Sequence, residues 1–160
     1  MMNRESVYLD TSVPSAYYDT RVPWRLEFTR EWWKNELFKY DVFISEIVIA
    51  EIRRTKEPRR RSELLELVKE FGELALSPEI EEIAKGYVKH GVIPQAHFPD
   101  ALHVALASFH KIDFLVTWNC EHLAQAHRRK RIRLFNTSAG LFVPEIITPM
   151  ELIEGGEEDV

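Results

Sequence analysis

The sequence is poor in the residues that would tie it to several common protein classes. Cys120 is its one cysteine among 160 residues, so neither an internal disulfide nor a cysteine-based zinc cluster is open to it. Six glycines are too few for a low-complexity chain. No apolar run approaches the ~20 residues that a membrane-spanning helix requires. No secretory leader pattern precedes the first apolar run, and with the lone cysteine this predicts a reducing, cytoplasmic setting without membrane attachment. Gly-x-Gly-x-x-Gly and Gly-Lys-Ser/Thr segments are both missing, which argues against dinucleotide and P-loop phosphate binding. The six histidines have no compact ligand spacing. His103 and His110 share one helix face and read as packing or surface residues, and Cys120 reads as a small buried hydrophobe.

Charge is nearly balanced, with 21 Lys+Arg against 26 Asp+Glu, a formal net charge of −5. Glu151, Glu154, Glu157, Glu158 and Asp159 account for the whole imbalance. Setting those five aside leaves 21 acids against 21 bases in residues 1–150. The acidity belongs to the last ten residues, so a nucleic-acid partner for the body is not excluded. The length suits one domain, residues 1–150, followed by an acidic tail over 151–160 that is expected to be disordered.

Short apolar runs alternate with amphipathic stretches along the body. Strands are predicted at 7–9, 42–44, 74–76, 114–117 and 145–148. Helices are predicted from Asp10-Thr11-Ser12 onward, over 23–39, from Ser45 to about Arg54, over 58–71, from Ser77-Pro78 to about Gly91, and over 101–110. Residues 127–135 are read as helix or loop. This alternation is the pattern of a parallel, helix-covered sheet, an α/β domain.

In such sheets ligands gather beyond the carboxyl ends of the strands. Asp10 follows the first strand, Glu51 lies two turns into the helix after the second, Asp100 opens the apolar helix before the fourth, and Asn119 follows that strand. Converging carboxylates repel unless a cation is bound, and oxygen-only ligation favours Mg²⁺ or Mn²⁺ over zinc. The chemistry implied is metal-assisted phosphodiester hydrolysis. Plainer roles remain open for each residue: Asp10 and Asp100 as helix caps, Glu51 as a surface acid, Asn119 as a turn residue.

Four segments carry the acids in order: Val-Tyr-Leu-Asp-Thr-Ser at 7–12, Ile-Ser-Glu-Ile-Val-Ile-Ala-Glu-Ile at 44–52, Pro-Asp-Ala-Leu-His-Val-Ala-Leu-Ala at 99–107 and Asp-Phe-Leu-Val-Thr-Trp-Asn at 113–119. Together they resemble the PIN-domain nucleases, including VapC-type toxins. The resemblance implies a PIN-like three-layer α/β/α domain with a central, mostly parallel sheet. It places Asp10, Glu51, Asp100 and Asn119 on the family's catalytic and metal-binding positions, with Ser12 and Thr117 similar to its supporting hydroxyl residues. It also implies Mg²⁺ or Mn²⁺, an RNA substrate, an antitoxin partner and a homodimer. Residue 119 departs from the pattern, because many members carry an acid where this chain has Asn119. The alternative is therefore a catalytically degenerate module that binds RNA or a partner without cutting. An aspartate-nucleophile phosphatase fits less well, since Ser12 stands where its second Asp belongs.

More than half of the 21 bases lie in two clusters. Arg53, Arg54, Lys56, Arg59, Arg60 and Arg61 form one, and Arg128, Arg129, Lys130, Arg131 and Arg133 the other. Both are candidates for RNA phosphate contact, against the plainer role of a solvated helix end. Half of the aromatic residues fall between Tyr17 and Phe43. They read as core or dimer face ahead of an RNA-stacking surface.

Overall fold

The computed structural model describes residues 4–153. Chain order is β1 Ser6–Leu9, α1 Ser12–Tyr18, α2 Pro23–Asn35, β2 Asp41–Ser45, α3 Glu46–Arg53, α4 Pro58–Val68 and β3 Gly72–Leu74. It continues with α5 Pro78–Lys89, α6 Phe98–Phe109, β4 Phe114–Val116, α7 Ala126–Ala139 and β5 Glu145–Ile147. The strands form one five-stranded sheet in the order β3-β2-β1-β4-β5, and every pairing is parallel. This is the α/β architecture expected of the alternating pattern.

β1 is central because its residues are apolar on both faces: Val7, Tyr8 and Leu9 are fully buried. β4 flanks it with Leu115 and Val116 equally buried. The chain winds outward through β2 and β3, then crosses to the other side of β1 for β4 and β5. That reversal puts a crevice between the carboxyl ends of β1 and β4, where ligands collect in sheets of this kind. α6 is apolar nearly all round, packs on α5, and buries Ala101, Val104, Ala105, Leu106 and Ala107.

Several boundaries differ from the sequence reading. The third strand lies at Gly72–Leu74 rather than 74–76. Its register sets Gly72 opposite Phe43, where a Cβ would stand 2.7 Å from the phenyl Cδ1. A residue without a side chain is needed there, and apolar alternation does not register that need. Past Leu74 the chain leaves the sheet, and the Leu76 N–H donates to Glu46 Oε2 at 2.6 Å. The helix expected over 23–39 stops at Asn35 and is followed by a 3₁₀ turn at Leu37–Lys39, while the helix expected over 58–71 stops at Val68. Residues 126–139 form one helix closed by Gly140 in the left-handed conformation, φ 72°.

The aromatics between Tyr17 and Phe43 pack largely inward. Trp32 is buried, and its indole N–H donates to the Leu152 carbonyl at 2.9 Å. Trp33 packs between Tyr17 and Phe71, whereas Trp24 and Phe38 remain exposed. Cys120 is exposed, contrary to the buried role expected of it, because it sits at the tip of the turn after β4. The acidic segment is anchored at its start: Glu151 accepts from the Thr148 N–H at 3.1 Å, and Leu152 is buried. The disorder expected of the tail concerns residues 154–160, which lie outside the described residues. No described helix is long and apolar enough to cross a membrane.

Candidate active site

Asp10 leaves β1 at the crevice and is only 3% exposed. A carboxylate so placed survives through donors on both oxygens. Oδ1 accepts from the Ser12 N–H at 3.1 Å and from the Ser12 hydroxyl, and Oδ2 accepts from the Thr117 hydroxyl at 2.6 Å. Asp10 thus bonds Ser12 within its own turn and also clasps the end of β4. Burial raises its pKa. The charge of His103 and the Ser12 and Thr117 hydrogen bonds oppose that rise, and the Asp100 charge adds to it.

Glu51 comes from the second turn of α3, a helix that Ser45 starts by accepting from the Ile47 and Val48 N–H groups. It is half-buried, accepts from the Thr11 hydroxyl, and meets His103 Nε2 at 3.1 Å. Burial works to raise the Glu51 pKa, but His103, Thr11 and the Arg54 charge together hold it below the usual value.

His103 joins the pieces. It lies on α6, one turn beyond Asp100, and is 3% exposed. Its Nδ1 is 2.6 Å from the Tyr8 hydroxyl, which is 2.7 Å from the Ser45 hydroxyl. Burial pulls the imidazole pKa down, yet the Glu51 hydrogen bond and the charges of Asp10, Glu51 and Asp100 win, and the net shift is upward. The Tyr8 hydroxyl stays protonated, since burial drives its pKa well up.

Asp100 lies in the first turn of α6 without capping it. Its Oδ2 accepts from the Asn119 amide at 3.2 Å. Burial raises its pKa against the charges of His103, His97 and His122, and the last two rings stack at 4.0 Å. The Asn119 oxygen accepts from the His122 N–H at 3.1 Å, which fixes the orientation of the amide. Asn119 therefore presents a donor to Asp100, and its oxygen keeps one lone pair beyond the bond from His122.

Sequence reasoning passed over His103, Thr11, Tyr8 and Ser45 as site residues. The signal for His103 was available: a histidine three residues after Asp100 in an otherwise apolar helix must share its face. Tyr8 looked like any strand hydrophobe.

The basic clusters are only partly free. Arg59 and Arg60 pair with Glu63, and Arg61 donates to the Thr55 carbonyl. Arg129 donates to the Ile146 carbonyl and pairs with Glu151. Arg53, Arg54, Lys56, Lys130, Arg131 and Arg133 are exposed. Arg54 acts on Glu51 and Arg128 on Asp100 through charge.

Three carboxylates facing one imidazole keep excess negative charge even when that ring is protonated. Among the described residues no three His, Cys, Asp or Glu side chains form a ready metal cage. The donor chemistry still suits a hard divalent cation. Glu51 Oε2 and Asp100 Oδ1 accept no hydrogen bond from any described residue. Mg²⁺ commonly needs one or two carboxylates and keeps several waters.

An all-parallel sheet whose switch point gathers acids from the ends of β1, α3 and α6 defines an α/β domain with an acidic site. The chain belongs to the PIN domain family, whose model matches residues 7–125. Among curated proteins none matches by sequence.

Solved structures with the same fold include DNA-bound VapBC from Salmonella typhimurium, at 15% identity and TM-score 0.59, covering 91% of this chain and 98% of that one. A toxin–antitoxin complex from Klebsiella pneumoniae matches at 18% identity and TM-score 0.57, over 76% and 93% of the two chains. Mycobacterium tuberculosis VapC20, a sarcin–ricin loop cleaving toxin, matches at 17% identity and TM-score 0.55, over 74% and 93%.

Proposed function

We propose that this chain is a Mg²⁺- or Mn²⁺-dependent endoribonuclease that hydrolyses RNA phosphodiester bonds, acting as the toxin of a toxin–antitoxin pair. The observation that carries the reading is the convergence of Asp10, Glu51 and Asp100, from three separate elements, around the buried His103. Those three carboxylates would hold the ion directly or through its waters. When bound, the ion supplies an activated water and neutralises charge on the phosphate. Ser12 and Thr117 orient Asp10, while Thr11 and His103 orient Glu51. RNA as substrate is supported by the likeness to a toxin that cleaves the sarcin–ricin loop, and an antitoxin partner by the likeness to VapBC complexes. A homodimer belongs to the same reading. Exposed bases of the two clusters would guide the RNA backbone.

One observation favours the binding module instead. Asn119 contributes an N–H where an acid is common, and brings no negative charge to the site. A nuclease assay separates the two. RNA should be cut with Mn²⁺ or Mg²⁺ and left intact in chelator, and Asp10→Asn or Asp100→Asn should lower the rate roughly a hundredfold or more. Asn119→Asp should bind Mn²⁺ more tightly than wild type. A wild type that binds neither ion and cuts no RNA would decide for the binding module.

A further inference from the structure

We infer that Arg128 is the residue that grips the RNA phosphate entering beside Asp100, an inference that rests on the ribonuclease reading above. Among the described residues, two guanidinium groups bury an N–H with no acceptor: Arg25 through Nε and Arg128 through Nη1. Arg25 already pairs with Asp19 through Nη2 at 3.2 Å. The Arg128 side chain has no ion pair and no hydrogen bond among the described residues. Its backbone N–H donates to Gln125 Oε1 at 2.8 Å, which fixes the residue in the first turn of α7.

Arg128 is close enough to Asp100 to feel its charge, yet no contact within ion-pair distance forms. Burial penalises its charged form, and Arg131 on the same helix adds repulsion. His97 and His122, whose rings stack on each other, also act on Asp100 by charge. Nη1 is closed off from solvent, while Nε and Nη2 are equally unbonded among the described residues but not closed off, so this arginine can still receive an anion. Its planar fork of donors matches a phosphate oxygen pair better than a point charge would. A cation held by the acids would leave the phosphodiester as the anion at this spot. Arg60, Arg61 and Arg129 are bonded within the protein, and Arg54, which acts on Glu51 by charge, is exposed and buries no unmet donor.

The test measures binding of a single-stranded RNA oligonucleotide in Ca²⁺ over a salt series, for wild type, Arg128→Ala, Arg128→Lys and the charge-matched Lys130→Ala. Thermal midpoints without RNA are recorded for all four. Arg128→Ala should weaken binding on the order of tenfold and shallow the salt slope by about one. Its midpoint should hold or rise, because a buried donor without an acceptor has been removed. Arg128→Lys should fall between, and Lys130→Ala should lose less than Arg128→Ala. Equal losses in Arg128→Ala and Lys130→Ala overturn the inference. So does a midpoint that drops in step with binding in both Arg128 variants, the mark of a structural role. RNA binding by wild type with Arg128→Ala unaffected defeats this inference alone. No RNA binding by wild type defeats the ribonuclease reading itself. A wild type that ignores RNA but holds an acidic peptide through Arg128 would place a protein partner there instead, and also overturns it.

Discussion

Asp10 and His103 meet the cost of burial in different ways. Asp10 keeps its charge through three protein donors, whereas His103 sits in a chain whose protons can run either way. With a neutral ring, Ser45 donates to Tyr8, Tyr8 donates to Nδ1, and Nε2–H donates to Glu51. With an imidazolium, Nδ1–H donates to Tyr8 and the Tyr8 hydroxyl turns to Ser45. The neutral state meets every group in the chain, while the charged state leaves the buried Ser45 O–H without an acceptor among the described residues. The folded protein raises the His103 pKa above its ordinary value of ~6.5, so its contribution to stability is full below that value and is lost as pH rises through the folded pKa. The raised Asp10 and Asp100 act with the same sign at lower pH, and the lowered Glu51 acts oppositely, losing its contribution only in acid. In chelator, the thermal midpoint should therefore fall as pH rises above about 6.5. His103→Gln should flatten that slope, and a midpoint indifferent to pH in wild type would refute it. Asn119 marks the limit of reading residue by residue. Its identity was plain in the sequence, but the direction of its amide depends on the His122 N–H, which only the folded turn reveals.

At the scale of elements, one short motif often does two jobs. Ser45 ends β2, caps α3 and bonds the Tyr8 hydroxyl, so the helix carrying Glu51 and the chain leading to His103 share an origin. Ser45→Ala should cost about 1–2 kcal/mol in chemical denaturation, from the lost cap and the lost bond to the Tyr8 hydroxyl. It should also lower Mn²⁺ affinity, whereas a loss confined to stability would mean that the Tyr8–His103 chain does not position Glu51. Elements with strong local signals were legible beforehand: Ser45 and Ser77-Pro78 as helix starts, Val7 to Leu9 as a strand, the stretch after Asp100 as an apolar helix. β3 was not, because its register answers to the Phe43 ring above Gly72, a contact between distant residues. α7 was half legible, since its polar sequence carries little amphipathic signal and its inward side is held by Ile132 and by Asn136, which accepts from Tyr87 at 2.7 Å.

Seen whole, the molecule places its acids where the winding direction of the sheet reverses, and that placement follows from strand order and not from any one motif. The ordered set of four segments made the fold and the three acids legible. The donors that hold those acids came from residues that also serve the core, and so looked unremarkable. A cation bound by the native site and not by the unfolded chain should raise the midpoint with concentration, the stabilisation reaching about 2.7 kcal/mol at a hundred times its dissociation constant. Titrating Mn²⁺ against wild type and Asp100→Asn checks this, and equal responses would remove Asp100 from the ion's ligands. The position of β5 has a consequence for timing. Thr117, whose hydroxyl secures Asp10, donates its backbone N–H to the Ile147 carbonyl at 2.9 Å. During synthesis from the amino end, every acid is therefore in place before the strand that steadies Thr117 exists. The site reaches its full order only as one of the last described segments docks, so a growing chain carries the parts of a nuclease without yet being fastened into one.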